Sequence, residues 1–198
     1  NLLGVAQHQR GSHTEAAASI RRAIAAAPQR AAYHVHLAEV CLATGEPESG
    51  LEAVKRAAEL EPRRGGLEGL RGDLSLAAGQ ADDAATAYRE ALEREPANPD
   101  LQTNLGHALE AMGDRAAALA AYDAALSADP AHRAAHRNAL RASTANGDLV
   151  AMLERGSQAL AALGPDVEAV VAFAQACAGL GRAEEGLAAL VQLPESTR

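Results

Sequence analysis

Seven histidines, two cysteines and a cluster of glycines are the residues of this 198-residue chain that invite a chemical reading. His132 and His136 lie four apart, one helical turn, the spacing at which two imidazoles share a face and begin a zinc site. No third ligand is set beside them to complete one, and Pro130 puts both at a helix start. His34 and His36 diverge on a helix, while His8, His13 and His107 are isolated. They read as groove or solvated histidines, with no metal expected. Gly66-x2-Gly69-x2-Gly72 lacks the preceding strand and the following Lys-Ser/Thr of a phosphate loop. Arg71-Gly72-Asp73 falls inside a predicted helix rather than on an exposed loop tip. With no G-x-S-x-G, H-E-x-x-H or C-x-x-C in the chain, no catalytic residue and no cofactor are expected, and the chain reads as a non-enzyme.

The elements that would position any such residues are strictly periodic. Gly11, Gly45, Gly79, Gly113, Gly147 and Gly181 are each 34 residues apart, and so are Pro28, Pro62, Pro96 and Pro130. Between them run amphipathic helices, predicted at 1–10 and 14–27, 30–43 and 47–61, 64–78 and 81–95. The later ones are predicted at 99–112 and 115–128, 132–145 and 148–163, 166–179 and 183–193. Each glycine supplies the permissive backbone that ends a first helix, and each proline stops a second one, since proline inside a helix costs about 3 kcal/mol. The turns Gly45-Glu46-Pro47, Gly79-Gln80-Ala81-Asp82, Gly113-Asp114 and Asn146-Gly147-Asp148 end one helix and cap the next, and Asp100 is favoured at its helix N-terminus. Gly65, Gly66, Gly69 and Gly72 crowd the start of the third unit, and glycine costs about 1 kcal/mol per position in a helix. That helix is expected to be the softest in the middle of the chain.

A 34-residue all-helical period resembles the tetratricopeptide repeat, whose signature is W-x2-L-G-x2-Y, then A-x3-F, then P. Leu105-Gly106-x2-Leu109, Ala118-x3-Tyr122 and Pro130 carry the likeness best. Ala84-x3-Tyr88 with Pro96, and Ala16-x3-Ile20 with Pro28, repeat its second half. The resemblance implies an all-α, right-handed superhelical solenoid of six helix-turn-helix repeats: 1–29, 30–63, 64–97, 98–131, 132–165 and 166–194. Small residues such as Gly106, Gly72, Ala38 and Ala118 sit where helices approach closely, with Leu105, Leu109 and Tyr122 filling the grooves. The chain departs from the family pattern in having no Trp; His34, Glu68, Gln102 and His136 hold that slot. The fifth repeat departs furthest, with Gly156 at the aromatic slot and its proline displaced to Pro165. Cys41 and Cys177 take the same repeat position four repeats apart, too far for a disulfide in a solenoid, and read as buried packing residues in reducing surroundings.

Composition narrows the function class. A net charge of −8 argues against nucleic acid as the main partner, and no stretch of about 20 apolar residues is present to insert in a membrane. The reading is cytoplasmic. The chain opens at Asn1 without methionine, which is expected of a piece of a longer protein. Its last helix carries Leu187, Leu190 and Val191 with no polar cap after it, so a further segment or self-association is expected to cover them. In the family, first helices line a groove that holds an extended peptide. The resemblance thus implies a protein or peptide partner at Glu39, Asp73, Asn104, His107, Arg137, Asn138 and Arg141. Asn104 and Asn138 occupy one slot in successive repeats, as in an asparagine ladder along a peptide backbone. Arg133, Arg137 and Arg141, four apart, form a basic stripe able to clamp a carboxylate, and Glu39 and Asp73 make the groove bipolar. Two other readings stand beside this scaffold. Residues 2–11 resemble the first repeat of bacterial repeat-containing glycosyltransferases and sulfotransferases, which implies a substrate-recognition arm. The apolar last helix fits a self-assembling scaffold.

Overall fold

The computed structural model describes residues 4, 5 and 12–193, and among these every regular element is α-helical. The helices are α1 (His13–Ala26), α2 (Ala31–Thr44), α3 (Pro47–Leu60), α4 (Leu67–Ala77), α5 (Ala81–Arg94) and α6 (Pro99–Ala111). They continue as α7 (Arg115–Ala128), α8 (Arg133–Asn146), α9 (Leu149–Leu163), α10 (Val167–Gly179) and α11 (Ala183–Val191). The chain divides into two compact units, Asn1–Pro96 and Ala97–Arg198. Of the helix expected at 1–10, residues 4 and 5 are described and are helical; the rest of it and the turn at Gly11 lie outside the described residues.

The turns follow from backbone chemistry. Gly45, Gly79, Gly113, Gly147 and Gly181 all take φ between 68° and 85°, the left-handed region that L side chains resist. Asp114 and Asp148 then accept backbone N–H bonds as N-caps of α7 and α9, and Asn98 and Asp166 do so for α6 and α10. Glu46 and Gln80 hold the corresponding places before α3 and α5 without a side-chain cap. Asp82 lies inside the first turn of α5, where its charge faces the positive helix end.

Apolar burial is local. Separate clusters join neighbouring hairpins: Ala31, Val35, Ala57 and Leu67 tie α2 and α3 to α4, and Leu140, Ala159, Ala169 and Ala172 tie α8 and α9 to α10. Within a hairpin a size rule operates between the family's glycine slot and its aromatic slot. A Cβ on Gly72 would come within 2.5 Å of Tyr88 Cε1, and one on Gly106 would collide with the Tyr122 ring. In the first repeat a Cβ on Gly4 would come within 2.6 Å of Ile20. The fifth repeat exchanges the partners: Leu140 stands in the small slot and Gly156 in the large one. Gly156 lets α9 press against the backbone of α10, since a Cβ there would lie 2.9 Å from Phe173 Cβ and 3.1 Å from its Cα.

The third repeat differs from expectation. α4 begins at Leu67, not 64, with Gly66 as N-cap at φ 82°. Gly65 and Gly66 are therefore outside the helix and impose no helical cost, and Gly72 is required by Tyr88. The free thiols of Cys41 and Cys177 are buried, and burial raises both above the ordinary cysteine value.

Candidate functional site

The two histidines that replace the family's Trp are structural. His34 is 8% exposed with Nε2 2.9 Å from the Pro28 carbonyl oxygen, and His136 is 5% exposed with Nε2 2.9 Å from that of Pro130. Each ring donates to the carbonyl of the closing proline of the preceding repeat, which for His136 replaces the solvated or groove placement expected. His132 accepts from Ala135 N–H at the start of α8 and sets Nε2 3.0 Å from Asp100 Oδ1, a carboxylate the sequence reading overlooked. Among the described residues no group of three or more metal-ligating side chains is gathered.

Five of the anticipated binding residues fall on α6 and α8, first helices of the second unit. His107, Asn138 and Arg141 are brought together by contacts between these helices. Asn138 Nδ2 lies 2.5 Å from His107 Nε2, and Asn138 is only 4% exposed, so this rung donates to a histidine. Arg141 donates to Glu110 Oε2 at 2.8 Å, and Tyr122 donates its hydroxyl to the same oxygen at 2.7 Å. The edge of the His107 ring meets Tyr122, centroids 6.0 Å apart. Burial holds His107 below the ordinary histidine value, helped by Arg141 and Arg137 and opposed by Glu110. Burial and the Glu110 carboxylate push the Tyr122 phenol up, which keeps it a donor.

The arginine stripe is unevenly committed. Arg133 is paired with Asp166 at 2.5 Å and Arg141 with Glu110, whereas exposed Arg137 has no carboxylate in salt-bridge range among the described residues. Asn104 is half-buried on α6. The remaining two residues belong to the first unit. Glu39 on α2 is exposed with Oε2 3.1 Å from His36 Nδ1, and Asp73 on α4 accepts the Tyr88 hydroxyl at 2.8 Å.

Beyond Arg141 the face turns apolar. A cleft of about 570 Å³ opens between α8 and α10, lined by Leu140, Arg141, Thr144, Val167, Val171 and Gln175 among others. Val167 and Val171 are 44% and 40% exposed, one helical turn apart. Glu168, between them, is shared with a smaller cleft of about 40 Å³ lined by Arg133, His136 and Arg137. The valines are the residues that sequence reasoning missed. Their signal was α10 itself, apolar around nearly its whole circumference yet not enclosed on all sides.

These repeats, turns and paired slots define a class, and comparison with known families agrees. A model described as a tetratricopeptide repeat-like domain matches residues 2–105, and one described as a tetratricopeptide repeat matches residues 75–144. The chain belongs to the tetratricopeptide repeat family. No curated protein sequence matches it. Among solved structures it is similar to PilF of Pseudomonas aeruginosa, with TM-score 0.75 and 18% identity over 97% of this chain and 87% of that one. MamA from Desulfovibrio magneticus RS-1 is similar at TM-score 0.73 and 15% identity, covering 80% of this chain and 89% of the other. YrrB, a tetratricopeptide repeat protein with an unusual peptide-binding site, is similar at TM-score 0.66 and 19% identity, over 89% and 91%. At these identities the likeness concerns the fold. Among the described residues no helix is long and apolar enough to cross a membrane.

Proposed function

We propose that the chain is a non-catalytic interaction module that binds an extended peptide segment of a partner protein along its first helices. The observation that carries this reading is the open cleft between α8 and α10, where Val167 and Val171 stay exposed beside Arg141. Apolar side chains left uncovered next to a cation fit a peptide that seats an aliphatic or aromatic residue and presents a carboxylate. Arg137 is the primary clamp because it is not neutralised; Arg141 is pre-oriented by Glu110 and contributes as the second. Asn138 acts by fixing His107, and Asn104 and His107 border the peptide. Glu39 and Asp73 lie on first helices of the other unit and are proposed as acidic contacts for a ligand held by that unit alone. YrrB, of like fold, has a peptide-binding site, which supports the class of ligand.

Selection from a random peptide library with free C-termini tests the proposal. Selected peptides are expected to share an apolar residue near a carboxylate, and to lose about tenfold or more in affinity with the Arg137→Ala, Arg141→Ala double variant. Unchanged affinity of every selected peptide for that variant would refute the clamp.

A further inference from the structure

We propose a second binding site, on the first unit between α3 and α4, that takes an aromatic side chain of a partner protein with a carboxylate beside it. The site goes beyond the peptide-binding reading and shares no residue with it.

The second and fifth repeats fill from within a slot that the third leaves without a ring. In the second and fifth repeats the residue at the family's Trp position is a histidine, 8% and 5% exposed, whose ring hydrogen-bonds the carbonyl of the closing proline of the repeat before. The corresponding pair in the third repeat is Pro62 and Glu68. Here no ring is present. Glu68 is instead drawn aside to Arg94, 3.1 Å away, and α4 starts at Leu67, two residues later in register than α2 or α8. Gly65 and Gly66 occupy the missing stretch and supply no side chain.

The result is a cleft of about 540 Å³ whose lining includes both Pro62 and Glu68. The apolar part of its lining is Leu51, Val54, Ala58, Pro62 and Leu67, and the charged part is Lys55, Glu59, Glu68 and Arg71. That volume lies within the about 300–1,000 Å³ typical of ligand clefts. The repeat position, with Pro62 and apolar side chains in the lining, is that at which the second and fifth repeats hold a ring, so the complementary occupant is a ring.

Charge at the rim specifies what accompanies it. Arg71 is paired with Glu90, and Glu59 with Arg56 at 2.8 Å. Lys55, exposed on the same lining, has no carboxylate in salt-bridge range among the described residues. A partner carboxylate adjacent to the ring neutralises it, and the ammonium can also lie over the aromatic face.

N-acetyl-tryptophan, which joins an indole to a carboxylate, is a direct probe, followed by two-dimensional amide NMR. Chemical-shift changes are expected at Val54, Ala58, Leu67 and their neighbours. N-acetyl-tryptophanamide, or the Lys55→Ala variant with the acid, should bind about two- to fivefold more weakly. Glu68→Trp restores the family ring, fills the cleft from inside and should abolish these shifts while the helical circular dichroism is retained. If that variant does not fold, Glu68→His, which copies the second and fifth repeats, takes its place. Absence of shifts at millimolar probe, shifts away from α3 and α4, or shifts that persist in the filled variant would overturn the proposal. Loss of peptide binding in the Arg137 and Arg141 variants has no bearing on it.

Discussion

The fourth and fifth repeats answer the same packing problem with opposite sequences. The fourth places Gly106 on α6 beneath the Tyr122 ring, and its tyrosine hydroxyl then closes the first-helix face through Glu110 and Arg141. The fifth places Leu140 in the small slot and Gly156 in the large one. No hydroxyl is available there, and Leu140 instead lines an apolar cleft toward Val167 and Val171. Periodic turns fix where a helix ends, while the paired slots decide whether the face beside it is polar and closed or apolar and open.

The largest expected effect on this contrast comes from removing the fourth-repeat ring. Tyr122→Ala should destabilise the protein by about 3–5 kcal/mol, because Tyr122 is fully buried and its loss leaves a cavity and removes one of the two donors to Glu110 Oε2. Urea unfolding measures it. Converting the fourth repeat into the fifth is the next test. Gly106→Leu alone should cost about 1–3 kcal/mol by overpacking against Tyr122, and Gly106→Leu with Tyr122→Gly should cost less than the sum of the two single changes. Strict additivity would mean that the slots do not act as a pair.

In the fifth repeat, Gly156→Ala would add helix propensity on an ordinary surface. Here it should destabilise by about 1 kcal/mol, because its Cβ meets the α10 backbone at Phe173. A stabilised Gly156→Ala would show that α9 and α10 are not in close contact.

The smallest effect is one of pH. Burial lowers the folded-state pKa of His107 below its ordinary 6.5, so the unfolded chain takes up that proton first as the pH falls. Stability tied to this group is present above 6.5 and declines as the pH drops through 6.5 toward the folded value. Urea midpoints at pH 7.5 and 5.5 should converge in His107→Gln relative to the parent protein. An identical pH dependence would exclude His107 as its source.

Much of this was legible beforehand, for physical reasons that differ by residue. Turn glycines with positive φ and closing prolines are set by backbone demands that few residues meet, so their spacing located the hairpins, and the small and aromatic slots between them pointed to the family. The Gly72 and Gly106 positions were legible as close approaches, though their tyrosine partners become evident only once α4 and α6 are packed on α5 and α7 within each repeat. The exchange at Leu140 and Gly156 was visible as a weak repeat, and its compensation is a property of the pair rather than of either residue. Side-chain pairing was not legible. Asn138 looked like a free ladder rung, yet it lies one repeat from His107, and nothing in linear spacing announces a contact 31 residues away. The arginine stripe likewise looked uniform until Asp166 and Glu110 arrived from neighbouring helices to neutralise two of its three members.

The open apolar face of α8 and α10 is the feature on which the functional reading depends, and Val171→Asp tests it most directly. Val171 is 40% exposed, so the substitution leaves the packed core intact while placing a carboxylate in the cleft. Isothermal titration of library-selected peptides should show affinity reduced by about a hundredfold, with helical content and unfolding midpoint close to those of the parent protein. Full-strength binding to a folded Val171→Asp protein would contradict the assignment of this face as the peptide site.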